Sequence, residues 1–147
     1  MTVDLADFLL QSGYHRIPLS RSGVGHFHTA GTLNGHPVSV LLDTGAASTI
    51  LSLSRAHALE LDLVKLPFQG GGAGAARMDL FHLPNAVLKL GDLTPRVRAL
   101  MAMDLEHVNG ALALKGEEPI DVIVGADVFE AHGAIIDYGS SSLFLKP

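Results

Sequence analysis

The stretch Val38-Ser39-Val40-Leu41-Leu42-Asp43-Thr44-Gly45-Ala46-Ala47-Ser48-Thr49 constrains this chain more than any other. Val38, Val40 and Leu42 fall at every second position, the period of a strand with one strongly apolar face. The run ends in one acidic residue, with Thr44 and Gly45 directly after it, and glycine supplies backbone freedom where a chain must bend sharply. A carboxylate is thereby set where a buried strand breaks into a tight turn. Burying a lone ionised carboxylate is costly, so Asp43 is expected to be paired, hydrogen-bonded or protonated.

The residues before it set the register. Asn34-Gly35 lies between two strand-like runs and is the strongest short hairpin signal a sequence offers. Across a two-residue turn Phe27, Thr29, Gly31 and Leu33 oppose Val38, Val40 and Leu42 on one face, which fixes how Asp43 is delivered.

Asp43-Thr44-Gly45-Ala46 resembles the active-site signature of the retropepsin-like aspartic proteases, the single-domain relatives of pepsin. Asp121-Val122-Ile123-Val124-Gly125-Ala126-Asp127-Val128-Phe129 is similar to that family's apolar-apolar-Gly-x-Asp/Asn segment, which runs from a strand into a short helix. The resemblance covers Gly25 to the C-terminus. It divides the chain into residues 1–24, an N-terminal helix and connection, and residues 25–147, a retropepsin-like aspartic protease domain. The fold it implies is mainly β: a closed barrel with short helices and one Asp-Thr-Gly loop per chain. It also implies a glycine-rich flap over the substrate and terminal strands that interleave between subunits.

Composition narrows the alternatives. A chain of 147 residues, 48% of them apolar, suits one domain with one core. No apolar run approaches the roughly 20 residues needed to cross a bilayer, and the start Met-Thr-Val-Asp-Leu-Ala-Asp has the wrong charge for a leader. The expected compartment is left open, cytoplasmic by default and periplasmic if a leader has been trimmed. With no cysteine, disulfides, Cys-ligated zinc and thiol nucleophiles are excluded. Ten basic against fifteen acidic residues, with no basic cluster, argue against nucleic acid or an anionic membrane surface as partner. Eight histidines would carry the formal charge from −5 to +3 if all were protonated.

In chain order, Leu5, Phe8 and Leu9 before Gly13 predict a short amphipathic helix, and Tyr14 to Arg21 an irregular connection. Ile50-Leu51 continue the strand after Thr49, Ser52 or Ser54 caps a helix through Leu59, and Leu61 to Leu66 returns to the sheet. Gln69 to Ala76 holds four glycines in five residues, Gly70, Gly71, Gly72 and Gly74 around Ala73. That composition fits a mobile hairpin tip or backbone lying against a ligand, and its position matches the flap. Met78 to Leu83 returns from it, and Ala86 to Leu90 and Arg96 to Met103 follow as strands. Leu105 to Pro119 lacks period and is expected to be a long surface loop. Ile120 to Val124 is a core strand, Ala126 to His132 a helix, and Ala134 to Tyr138 and Ser142 to Lys146 the closing strands.

The resemblance implies acid and base work by two carboxylates that share one proton around one water, with no metal and no cofactor. Only one Asp-Thr-Gly turn is present. Asp137-Tyr138-Gly139 also follows an apolar run, yet tyrosine cannot replace the short hydroxyl of Thr44, which in the family bonds across to a partner's loop. Asp137 is therefore expected to be a turn residue, and the second catalytic aspartate to come from a second copy, in a two-fold homodimer. Asp43, Thr44 and Gly45 form the implied catalytic set. Ala46, Ala47, Gly70, Gly71, Gly72, Ala73 and Gly74 form the substrate-binding set, which takes a protein or peptide as an extended strand. The family more often has a polar residue at the place of Ala47, so one hydrogen bond to substrate is missing. Asp127 is expected to serve the N-terminus of its helix, and Gly125 to permit close packing. Two other classes stay open: a catalytically silent dimerisation or peptide-binding module of the same fold, and a zinc hydrolase using His26 and His28, for which a third ligand is not evident.

Overall fold

The computed structural model describes residues 4–71 and 76–147. The chain opens with helix α1 (Leu5–Gln11), started by Asp4, whose side chain accepts the Ala6 amide at 2.8 Å, and closed before Gly13 at φ +92°. Strands β1 (His15–Pro18) and β2 (Ser20–Arg21) follow, in place of the irregular connection expected there. Pro18 is tolerated because it ends an edge strand, where a missing amide breaks no ladder.

Strands β3 (Phe27–Leu33) and β4 (His36–Leu42) form the expected hairpin. Asn34 and Gly35 both take positive φ, 49° and 82°, as a two-residue turn of the right twist requires. Thr29 faces Val40 and Gly31 faces Val38, the register read from the sequence. Gly31 admits no larger residue, because a Cβ there would lie 2.8 Å from the Lys89 carbonyl oxygen.

Strand β5 (Ile50–Ser52) leads into α2 (Leu53–Ala58), capped by the Ser52 hydroxyl. Strands β6 (Val64–Gly70) and β7 (Met78–His82) form an antiparallel stem; β6 runs past Leu66 through a register shift between Lys65 and Gln69, a span holding Pro67, which has no amide to donate. Strands β8 (Leu88–Lys89) and β9 (Met101–Met103) are short pieces of the two longer strands expected.

The segment expected to be a loop after Leu105 contains α3 (Glu106–Leu114). Leu112 is its buried residue, and tertiary contacts hold it. Then come β10 (Val122–Val124), α4 (Ala126–Ala131), β11 (Ile135–Asp137) and β12 (Ser142–Leu145).

Two sheets result. The larger runs β2-β3-β4-β10-β5-β9-β7-β6 with β8 against β3, and the smaller runs β1-β12-β11. The fold is mainly β with short helices. Its strand pairing is an open path, with β2 and β6 at its ends, rather than the expected closed ring. Strand β12 is buried throughout and paired on both sides within its own chain. It has no free edge to interleave with another subunit, because β1 of the N-terminal segment occupies the place.

Strands β4 and β10 lie parallel at the centre, Val40 beside Val122 and Leu42 beside Val124. Val40, Val122 and Val124 face the main core, while Leu41 and Ile120 pack with Leu112 of α3 on the other side. Burial on both faces explains the nearly unbroken apolar run before Asp43. Among the described residues no helix is long and apolar enough to cross a membrane.

Candidate active site

Asp43 follows directly on β4. Its amide donates to the Val124 carbonyl at 3.0 Å, so the last rung of the β4–β10 pair holds it. The chain then turns: the Ala46 amide reaches the Asp43 carbonyl at 3.1 Å, and the Gly45 amide donates to Asp43 Oδ1 at 2.9 Å. The carboxylate thus has one fixed oxygen and one oxygen free of hydrogen bonds among the described residues. A Cβ on Gly45 would stand 3.2 Å from Asp43 Oδ1, so any larger residue there presses on the acid.

The turn is stitched to the second motif. The Ala126 amide donates to the Ala46 carbonyl at 2.7 Å. Gly125 lies so close beneath that a Cβ would meet the carbonyl oxygens of Ala46 at 2.5 Å and Ser48 at 3.0 Å. Asp127 accepts the amide of Thr49 at 3.0 Å and its hydroxyl at 2.7 Å, and the Thr49 hydroxyl accepts the Gly125 amide at 3.2 Å. Asp127 therefore serves more than its own helix: it ties α4 to the far end of the Asp43 loop.

Strand and turn residues differ in exposure. Val40 and Leu41 are buried, but Asp43, Thr44 and Gly45 are exposed in the single chain. The expected burial of the carboxylate is not found among the described residues. The Thr44 hydroxyl makes no hydrogen bond among the described residues.

A cleft of about 910 Å³ opens at this turn. Asp43, Gly45, Ala46 and Ala47 line one side and Gly70, Gly71 and Ala76, at the end of the β6–β7 stem, another; Thr44 is not among the lining residues. Gly72, Ala73 and Gly74 lie outside the described residues. The stem is braced by Asp79, which accepts Gln69 Nε2 at 3.0 Å and lies 3.4 Å from Lys65 Nζ. The Gln69 hydrogen bond and then the Lys65 charge hold its carboxyl below the usual range.

Sequence reasoning missed the remaining wall, made by Met101 and Met103 of β9 and by Leu105, His107 and Val108 at the start of α3. Val108 and Leu112, four apart and packed with Ile120 and Ile123, are the signal that marks this helix.

The rival sites resolve differently. Asp137 closes its own turn, accepting the Gly139 amide at 3.0 Å and the Ser140 hydroxyl at 2.6 Å, and the Ser140 bond keeps its carboxyl low. The His26 and His28 rings lie 6.5 Å apart between centroids. Among the described residues no group of three or more His, Asp or Glu side chains is placed to hold a metal ion.

A sequence-family model described as aspartyl protease matches residues 29–128, which include the first motif, the second through Val128 and the strands and helices between them. The chain belongs to the retropepsin-like aspartyl protease family. Its retropepsin-like fold is shared with a retropepsin-like aspartic protease from Rickettsia conorii, at TM-score 0.56 and 18% identity over 90% of each chain. The retroviral protease-like domain of Ddi1 from Leishmania major follows at 0.53 and 18%, over 80% of this chain and 86% of that one. EIAV protease, solved with an inhibitor bound, gives 0.50 and 22% over 76% and 91%. By sequence, DNA damage-inducible protein 1 of Cryptococcus neoformans is 29% identical over 114 residues. That match takes in 76% of this retropepsin-like chain and 23% of the relative, so the chain spans about a quarter of the longer protein.

Proposed function

We propose that this chain is one half of an aspartic endopeptidase, completed by a second copy that brings its own Asp43. The observation that carries the reading is the exposed Asp43 turn, one per chain, held rigidly by Gly45, Val124 and Ala126 at the mouth of a cleft. Firm placement of an acid that the described residues leave exposed suits a group completed from outside.

In the dimer one Asp43 takes a proton from water as its oxygen attacks the peptide carbonyl carbon, and the other gives a proton to the carbonyl oxygen. The tetrahedral intermediate then collapses, the C–N bond breaks and the amine leaves with a proton. The two acids act as one unit, as in aspartic proteases generally. Thr44, whose hydroxyl makes no hydrogen bond among the described residues, supplies the hydrogen bond that locks the two turns together. The subunits meet at these turns, since β12 is already paired on both sides. Substrate lies extended between the Gly45-Ala46 edge and the β6–β7 hairpin, with Ala47, Gly70 and Gly71 along its path. No metal or cofactor takes part.

The test is cleavage of an unstructured polypeptide across mildly acidic to neutral pH by the native chain and by Asp43→Asn. Cleavage that Asp43→Asn and transition-state-mimicking inhibitors abolish supports the peptidase. Peptides that bind but stay intact at every pH point to a silent peptide-binding module on the same fold.

A further inference from the structure

The α3 wall of the cleft carries the one basic side chain among the described lining residues. Met103, Leu105 and Val108 give an apolar surface, Asp43 is the acid, and His107 is the base. His107 is exposed, so its imidazole is open to whatever fills the cleft. Its place is fixed by buried contacts. Asn109 Oδ1 accepts the Ile120 amide at 2.8 Å and its Nδ2 donates to the Ile120 carbonyl at 3.1 Å, while Leu112 packs against Leu41. The helix is thus fastened to the same β4–β10 pair that delivers Asp43.

We propose that His107 is a specificity-determining residue that favours substrates with an acidic side chain next to an apolar one; this rests on the peptidase reading. Histidine is the side chain that ordinarily changes charge between about pH 5 and 8. As an imidazolium it attracts a carboxylate, and a partly exposed ion pair shifts affinity by up to about fivefold. With its histidines neutral the chain carries a formal charge of −5, so at neutral pH its overall field does not draw an acidic peptide in; at acidic pH, where histidines become charged, the comparison with His107→Gln separates the local group from the overall field. The other charged groups at this place are Asp43 in the cleft and Asp104 and Glu106 on the same turn. Asp104 is already engaged by the Glu106 amide at 2.8 Å. In a two-fold dimer the cleft holds two copies of His107, one on each side of the scissile bond. Acid preference therefore falls at two substrate positions.

The experiment scans glutamate against glutamine through every position of a cleaved peptide, with the native chain and with His107→Gln, at about pH 5.5 and about pH 8, where free glutamate is ionised throughout. The expected result is a Glu over Gln preference in kcat/KM of up to about fivefold at one position on each side of the bond. It shrinks at the higher pH and is lost in His107→Gln. Equal cleavage of the Glu and Gln peptides, or a preference that survives His107→Gln, overturns the assignment and leaves the peptidase reading standing. Binding of the same peptides to Asp43→Asn is measured alongside. A His107-dependent Glu preference there without turnover in the native chain removes the peptidase reading alone, and binding with no such preference removes the role of His107.

Discussion

The Asp127 carboxylate grips Thr49 at two points, its amide at 3.0 Å and its hydroxyl at 2.7 Å, and so ties the second motif of the chain to the end of the first. Thr49 is fully buried, so the groups it presents have no water to turn to.

Asp127→Ala leaves those donors unpaired, and destabilisation of about 2 to 3 kcal/mol is expected. Asp127→Asn keeps one acceptor and loses less. Urea unfolding reads both, as a lower midpoint with an unchanged slope.

Gly125→Ala and Gly110→Ala have opposite signs. At Gly125 the new methyl meets backbone oxygen at 2.5 Å, which forces the Asp43 loop to move, and a loss of about 3 kcal/mol together with peptidase activity is expected. At Gly110, inside α3 with nothing within 4 Å of the added carbon, a gain of about 0.5 to 1 kcal/mol is expected. Thermal melts of the two variants check both signs.

His28 makes stability depend on pH. Burial first and the nearby His26 charge second hold its pKa below the ordinary 6.5, with Glu117 opposing. Its Nε2 is buried without a hydrogen-bond partner among the described residues. The unfolded chain therefore takes up this proton first on acidification. Stability from this group is full above 6.5 and falls as pH drops from there to the folded pKa. His28→Gln removes that part of the slope, and Glu117→Gln enlarges it, as unfolding midpoints across the window will show.

Local signals made the fold's centre readable. Asn34-Gly35 set the hairpin, alternating valines set the face, and Asp43-Thr44-Gly45 with Gly125 and Asp127 marked the candidate site. What stayed hidden depends on contacts between distant segments. Residues His15 to Arg21 have no strong strand pattern and become strands by pairing with β12 and β3. Helix α3 contains Asn109 and Gly110, both poor helix formers, and is held by the Asn109 bonds to Ile120. With it the His107 side of the cleft was hidden. The exposure of Asp43 was unreadable because alternation marks the strand and not what covers its end.

The central claim, that two chains each give one Asp43 to a single site, is tested by mixing. Native chain and Asp43→Asn are unfolded together in equal amounts, refolded, and assayed for peptide cleavage. If both carboxylates of a two-fold pair are required, mixed dimers are silent and activity falls to about one quarter of that of the same total amount of native chain. Activity at about one half, the value for chains that act alone, contradicts the claim.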